Sequence, residues 1–165
     1  SQLAELARSL PVRFDAGRIW LAGDDITEAI RTEEVGMNAS RVSALPQVRA
    51  ALVALQLAFR RLPGLVADGR DMGTAIFPGA PLKVFLTASA AVRAERRHRQ
   101  LIAKGIVSTI ADLRADLEAR DARDASRSAS PLKPAEDALP LDNSLLSVDQ
   151  TTAQVLDWWQ ARQPF

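Results

Sequence analysis

Val12, Phe14, Ile19 and Leu21 alternate with polar residues on either side of Asp15-Ala16-Gly17, the pattern of two short strands joined by a tight turn. Gly23-Asp24-Asp25 reads as a second turn. The period then changes. Residues 31–44 read as a helix opened by Thr32, with Glu33 and Glu34 suited to its positive end. Pro46 opens a longer helix to about Leu62, because Val48, Leu52, Leu55 and Phe59 recur at helical spacing and Pro63-Gly64 stops them.

Beyond this point short apolar runs alternate with helical segments. Gly64–Asp68 and Leu82–Leu86 read as buried strands, the first ending in a carboxylate. Ser89 caps a helix to about Ala103, Gly105 ends it, and residues 109–123 form another. A loop from Ser126 to Pro134 leads to a third apolar run, Ala138–Asp142, whose Pro140 suits a sheet edge. A last helix runs from Ser147 to about Arg162, with Val148, Val155, Leu156 and Trp159 as its expected buried positions and Trp158-Trp159 as one anchor and one partly exposed neighbour. Strands separated by helices imply a parallel sheet flanked by helices, an α/β fold. Residues 1–62 have a different texture and read as a small separate α+β lobe, with 63–165 as the core.

Composition narrows the chemistry. The 165 residues are 47% hydrophobic and 25% charged, the balance of an ordinary globular chain. The absence of cysteine excludes disulfides and thiolate chemistry, and the single histidine, His98, leaves a Ser-His-Asp triad without support. No apolar run approaches the roughly 20 residues of a membrane span, the first residues resemble no targeting segment, and a cytoplasmic location is the expectation. A net charge of +1 argues against a nucleic-acid surface. The basic residues are nevertheless lopsided: three are lysines and 18 are arginines, whose planar forks match phosphate oxygens.

Three clusters stand out. The densest is Asp68-Gly69-Arg70-Asp71-Met72-Gly73-Thr74 after an expected strand, where α/β sheets bind ligands. Asp68 there suits magnesium through water, Arg70 a phosphate, and Asp71 the amino or hydroxyl groups of a ligand. The second is Arg120, Arg123, Asp124 and Arg127 on one helical face, equally readable as an enclosure for a polyanion or as a solvated ladder of charge pairs. The third is Arg93, Arg96 and Arg97, with an exposed helix face as the plainer reading and His98 as a surface residue. Neither G-x-x-x-x-G-K-[ST] nor G-x-G-x-x-G occurs.

Gly64–Pro78, Glu118–Arg127, Ser130–Pro134 and Ala138–Asp142 together closely resemble the bacterial cytidylate kinases, as do Ile30–Val35, Asn38–Ser40 and Pro46–Arg49. The resemblance covers essentially the whole chain. It implies a P-loop-NTPase-like sheet, a small monophosphate-binding lobe and a helical lid at about 104–130. It also implies transfer of the terminal phosphoryl group of ATP to CMP or dCMP with Mg²⁺; a monomer is the expectation for the chain. Carried over by position, Ser40, Arg49 and Asp71 would read the cytosine, and Arg70 and Arg127 would hold the acceptor phosphate. Arg120 and Asp124 would contact the ribose region. Arg123 and Arg127 would face the transferring phosphoryl group, Arg96 would serve ATP, and Asp68 would lie near magnesium.

The family's first core strand, lysine-bearing phosphate loop and first helix have no counterpart in this sequence. The expectation is therefore a chain that does not transfer phosphoryl groups alone. The alternative is a non-catalytic CMP-binding or interaction module.

Overall fold

A computed structural model describes residues 2–128 and 130–162. The chain divides into two compact units. The first holds residues up to Asp68 together with Arg127 and Ser128; the second holds Gly69–Ser126 and the chain from Ser130 onward.

In the first unit, helix α1 (Gln2–Arg8) is followed by a three-stranded antiparallel sheet of β1 (Val12–Asp15), β2 (Arg18–Leu21) and β3 (Asp24–Asp25). Both hairpins turn on two residues with positive φ, Ala16-Gly17 and Ala22-Gly23, as a tight hairpin with native strand twist requires. Asp24 and Asp25, expected in a turn, instead pair with Leu21 and Trp20 as a third strand. Phe14 meets Phe59 edge to face, with ring centroids 5.1 Å apart.

A 3₁₀ turn (Ala29–Arg31) leads into α2 (Glu33–Val42), where the Thr32 hydroxyl accepts the Val35 N–H at 3.3 Å. Helix α3 (Pro46–Ala58) starts on proline and ends four residues before the expected Leu62. The residue before Pro63 is biased away from helical backbone, which favours an early end. The core of this unit is Ala4 and Ala7 of α1 against Val48 and Ala51 of α3. Helix α1 has too short an apolar stripe to announce itself in the sequence.

Residues 64–68, expected as a strand, form none. A strand needs a neighbour for its N–H and C=O groups, and the described residues provide none for this segment. Val66 is fully exposed.

The second unit opens with a π-helical turn (Met72–Ile76). The parallel pair β4 (Val84–Thr87) and β5 (Leu139–Asp142) follows, registered Val84 to Leu139 and Thr87 to Asp142. Pro140 lies opposite Phe85 and has no N–H to donate, so the flanking bonds from Leu139 to Lys83 and from Asn143 to Thr87, both 2.9 Å, hold the strand. Helix α4 (Ala90–Ala103) is capped by Ser89, and α5 (Ile110–Ser126) by the Thr109 hydroxyl, which accepts the Asp112 N–H. The two helices pack through Ala94, Leu101, Leu113 and Leu117. Helix α6 (Val148–Ala161) begins with a reciprocal capping box between Ser147 and Gln150. Its inward face is the expected one only in part: Val155 is half-buried as expected, with Thr151, Gln154 and Trp158, and Trp158 and Trp159 divide as anchor and more exposed neighbour, whereas Val148 and Leu156 are exposed. No helix among the described residues is long and apolar enough to cross a membrane.

Candidate functional site

In the first unit, α2 and α3 place Ser40 and Arg49. Ser40 is buried, and its carbonyl accepts the Ser43 hydroxyl at 3.0 Å. Arg49, half-buried one turn into α3, donates from Nη1 to the Ser43 carbonyl at 3.2 Å. Burial and, second, the nearby Arg127 guanidinium push the Arg49 pKa below its ordinary value. Both effects oppose the charge on Arg49, and an anion placed beside the pair would counter them. Arg127 was expected on the same helical face as Arg120, Arg123 and Asp124, but α5 ends at Ser126 and Arg127 groups with the first unit.

In the second unit, the sequence around Arg70 and the last turns of α5 supply one cluster. The Asp124 carboxylate is buried and accepts the Arg70 Nε–H at 3.1 Å, while Arg120 Nε lies 4.0 Å from the same oxygen. The ion-pair reading of the 120–127 segment thus holds for Asp124, but it binds residues 54 positions apart rather than a solvated ladder along one helix. The Asp124 carbonyl accepts the Leu132 N–H at 2.8 Å, which fastens the following loop to the end of α5. Arg123 is half-buried on the same helix.

Asp71 is buried at the start of the π-helical turn, and its carbonyl accepts N–H groups from Thr74, Ala75 and Ile76. Gly73 lets this turn lie close to Lys83: a Cβ there would come within 3.2 Å of the Lys83 Cδ. The Lys83 ammonium is in turn fixed on Asp137 at 2.8 Å. Asp68 is exposed and does not stand at a strand end. No group of three or more His, Cys, Asp or Glu side chains suited to a metal occurs among the described residues.

Of the arginines of α4, Arg93 and Arg96 tie the helix to other elements, whereas Arg97 and Arg99 bond within it and Arg99 is exposed, as the plainer reading expected. Arg96 donates to the Asn143 side-chain and main-chain oxygens at 3.0 and 2.6 Å and to the Leu146 carbonyl at 3.3 Å. It lines a cavity of about 530 Å³ beyond the carboxyl ends of β4 and β5, with Leu86, Asn143, Ser147 and Thr151. Arg93 grips both oxygens of Asp121. His98, expected as an isolated surface residue, is half-buried with Nδ1 2.9 Å from the Ser108 hydroxyl. Asn143 and Asp121 carry no sequence pattern of their own; only the helical offset of Asp121 from Leu113 and Leu117 pointed toward α4.

The profile of the cytidylate kinase family matches residues 1–161. A cytidylate kinase of Cupriavidus necator is 58% identical over 162 residues, covering 98% of this chain and 73% of the relative. Cytidylate kinases of Ralstonia pickettii, 58% identical, and Chromobacterium violaceum, 52% identical, each cover 98% of this chain and 70% and 72% of their own lengths. The chain belongs to the cytidylate kinase family. It is thereby a nucleoside monophosphate kinase by descent, with an α/β fold. The cytidylate kinase match runs through both arginine clusters and through the cavity at Arg96.

Proposed function

We propose that this chain serves the phosphorylation of CMP or dCMP by ATP, giving CDP or dCDP and ADP. The observation that carries the reading is the buried Asp124 carboxylate held between Arg70 and Arg120. A carboxylate there orders arginine forks for a phosphorylated, hydroxyl-bearing ligand, and the Arg49–Arg127 neighbourhood favours an arriving anion. In the roles implied by the resemblance, Ser40, Arg49 and Asp71 read the base. Cytosine offers acceptors at O2 and N3 and an amino donor at N4, which suits an arginine and a carboxylate; uracil offers the opposite pattern at N3 and O4. Arg70 and Arg127 hold the acceptor phosphate, and Arg120 and Asp124 meet the sugar.

In the reaction an acceptor phosphate oxygen bonds to the γ-phosphorus of ATP as the bond from that phosphorus to the β–γ bridging oxygen breaks. Little covalent help is needed, and arginines such as Arg123 and Arg127 supply charge neutralisation. The cavity at Arg96, with apolar Leu86 and polar Asn143 and Ser147, suits the base of the donor nucleotide. Magnesium supplies further neutralisation when bound. It usually takes one or two protein carboxylates plus substrate phosphates and water, and the exposed Asp68 is the carboxylate that would serve, through water. We place these steps in the cytoplasm and in a monomer, with residues 1–62 as the monophosphate lobe and about 104–130 as the lid.

The 165 residues contain no Gly-Lys-Ser or Gly-Lys-Thr, which favours a second reading for the chain by itself: CMP binding without transfer. Calorimetric titration with CMP and a coupled ATP:CMP assay on the purified 165-residue chain test both. Heat from CMP without ADP formation is the expected result. Measurable phosphotransfer would overturn the claim of inactivity, and no heat at millimolar CMP would overturn the reading of the site.

A further inference from the structure

One charge pair in the second unit is not used by the roles above. Arg93 lies in the first turns of α4, and its Nε donates to the carbonyl of Ala88, immediately after β4, at 3.1 Å. Its two terminal nitrogens engage the two carboxylate oxygens of Asp121 on α5, Nη1 at 3.1 Å from Oδ1 and Nη2 on Oδ2. One guanidinium therefore joins the carboxyl end of β4 to the last turns of α5. Asp121 stands one residue from Arg120 and three from Asp124. It also extends the line of Leu113 and Leu117 that packs on α4, so the apolar seam between the helices ends in a charged clasp.

The polarity of the clasp is informative. A cation in the first turn of a helix opposes the helix dipole, and Arg93 stands there in α4. Helix stability alone would favour the reverse arrangement. The observed one gives what the reverse cannot: only an arginine at 93 can reach a main-chain carbonyl and fork onto a carboxylate at once.

We propose that Arg93 and Asp121 are positioning residues, which set the arginine-bearing end of α5 against the carboxyl end of β4 and so govern affinity for the nucleoside monophosphate. The pair touches no substrate group and acts through Arg120, Arg123 and Asp124. This inference rests on the CMP reading of that cluster.

The test uses the 165-residue chain with Arg93→Lys, Arg93→Met and Asp121→Asn, read by CMP titration, thermal melting and amide hydrogen exchange. Arg93→Lys keeps the charge but cannot hold three oxygens, so it should weaken CMP binding about tenfold with a melting temperature close to wild type. Exchange should quicken at 119–126 and stay unchanged at 110–117, where the apolar seam persists. Arg93→Met and Asp121→Asn should be no more damaging together than singly. Unchanged CMP affinity in all three variants, or losses that merely track melting temperature, would overturn the proposal. If wild type binds no CMP, the reading of the site fails. The exchange pattern still decides the clasp, because uniform exchange along α5 in wild type and variants would refute it.

Discussion

Arg49 in the first unit and Arg93 in the second are both half-buried arginines near the start of a helix, yet their surroundings are opposed. Arg93 is neutralised within the fold by a carboxylate that it meets fork to fork. Arg49 donates to a main-chain carbonyl, and burial and a second guanidinium both weigh against its charge. Arginine therefore has two uses in this molecule. Where a carboxylate meets the guanidinium fork to fork, the arginine builds geometry; where burial and a neighbouring guanidinium lower its pKa, an arriving anion offsets part of that cost.

The comparison can be pressed hardest at Asp124. Asp124→Ala removes a buried carboxylate from Arg70 and Arg120. Breaking a fully buried pair costs about 3–5 kcal/mol. Arg70 is 38% exposed, so solvent reduces the expected loss to about 2 kcal/mol. Urea denaturation should show a lower midpoint, and an unchanged midpoint would mean that the cluster is not neutralised from within.

Arg49→Gln should lower the urea midpoint less than Asp124→Ala does. It removes a charge that burial and Arg127 oppose along with the bond to the Ser43 carbonyl, while loss of a charged hydrogen bond to CMP costs about 1.5–3 kcal/mol, tenfold or more in affinity. A destabilised variant with intact CMP binding would erase the distinction between the two arginines.

The smallest effect is with pH. In the first unit Asp25 is held below its ordinary pKa of 3.8, chiefly by the Thr27 hydroxyl. In the second unit Asp137 is lowered chiefly by Lys83 and Asp142 chiefly by the Ser144 hydroxyl. A carboxyl whose folded pKa is depressed stabilises the fold above its unfolded pKa, and that contribution fades as pH falls through the folded value. Stability should therefore decline below about pH 4. Hydrogen exchange should show the second unit declining more, and Asp137→Asn with Asp142→Asn should remove the excess. Equal acid sensitivity in both units would show that these carboxyls do not set it.

Much of the fold was legible where the signal was local. Pro46, Thr32, Ser89 and Ser147 mark helix starts through groups that act within one turn, and Ala16-Gly17 marks a hairpin by its positive φ. Gly64–Asp68 was misread because an apolar run becomes a strand only beside a partner, and partners are not written in the run itself. The inward face of α6 was only partly read, with Val155 right and Val148 and Leu156 wrong, for a similar reason: several apolar stripes fit its sequence, and packing chooses among them. Among site residues, Arg70 and Asp124 carry recognisable chemistry, but their meeting across 54 residues is a product of the fold. Arg93 looked like solvated charge because the carboxylate it grips is 28 positions away.

The close approach of Gly73 to Lys83 has an evolutionary corollary. A methyl group at 73 would press on the Lys83 stem, which is anchored at its far end by Asp137 and so has little freedom to yield. Positions 73, 83 and 137 are thus one unit of variation, although they lie in a motif, a strand entrance and a loop. A side chain at 73 requires the Lys83 stem to move aside by a few tenths of an ångström. The glycine is thus favoured by the neighbour that leans on it, independently of any ligand it serves.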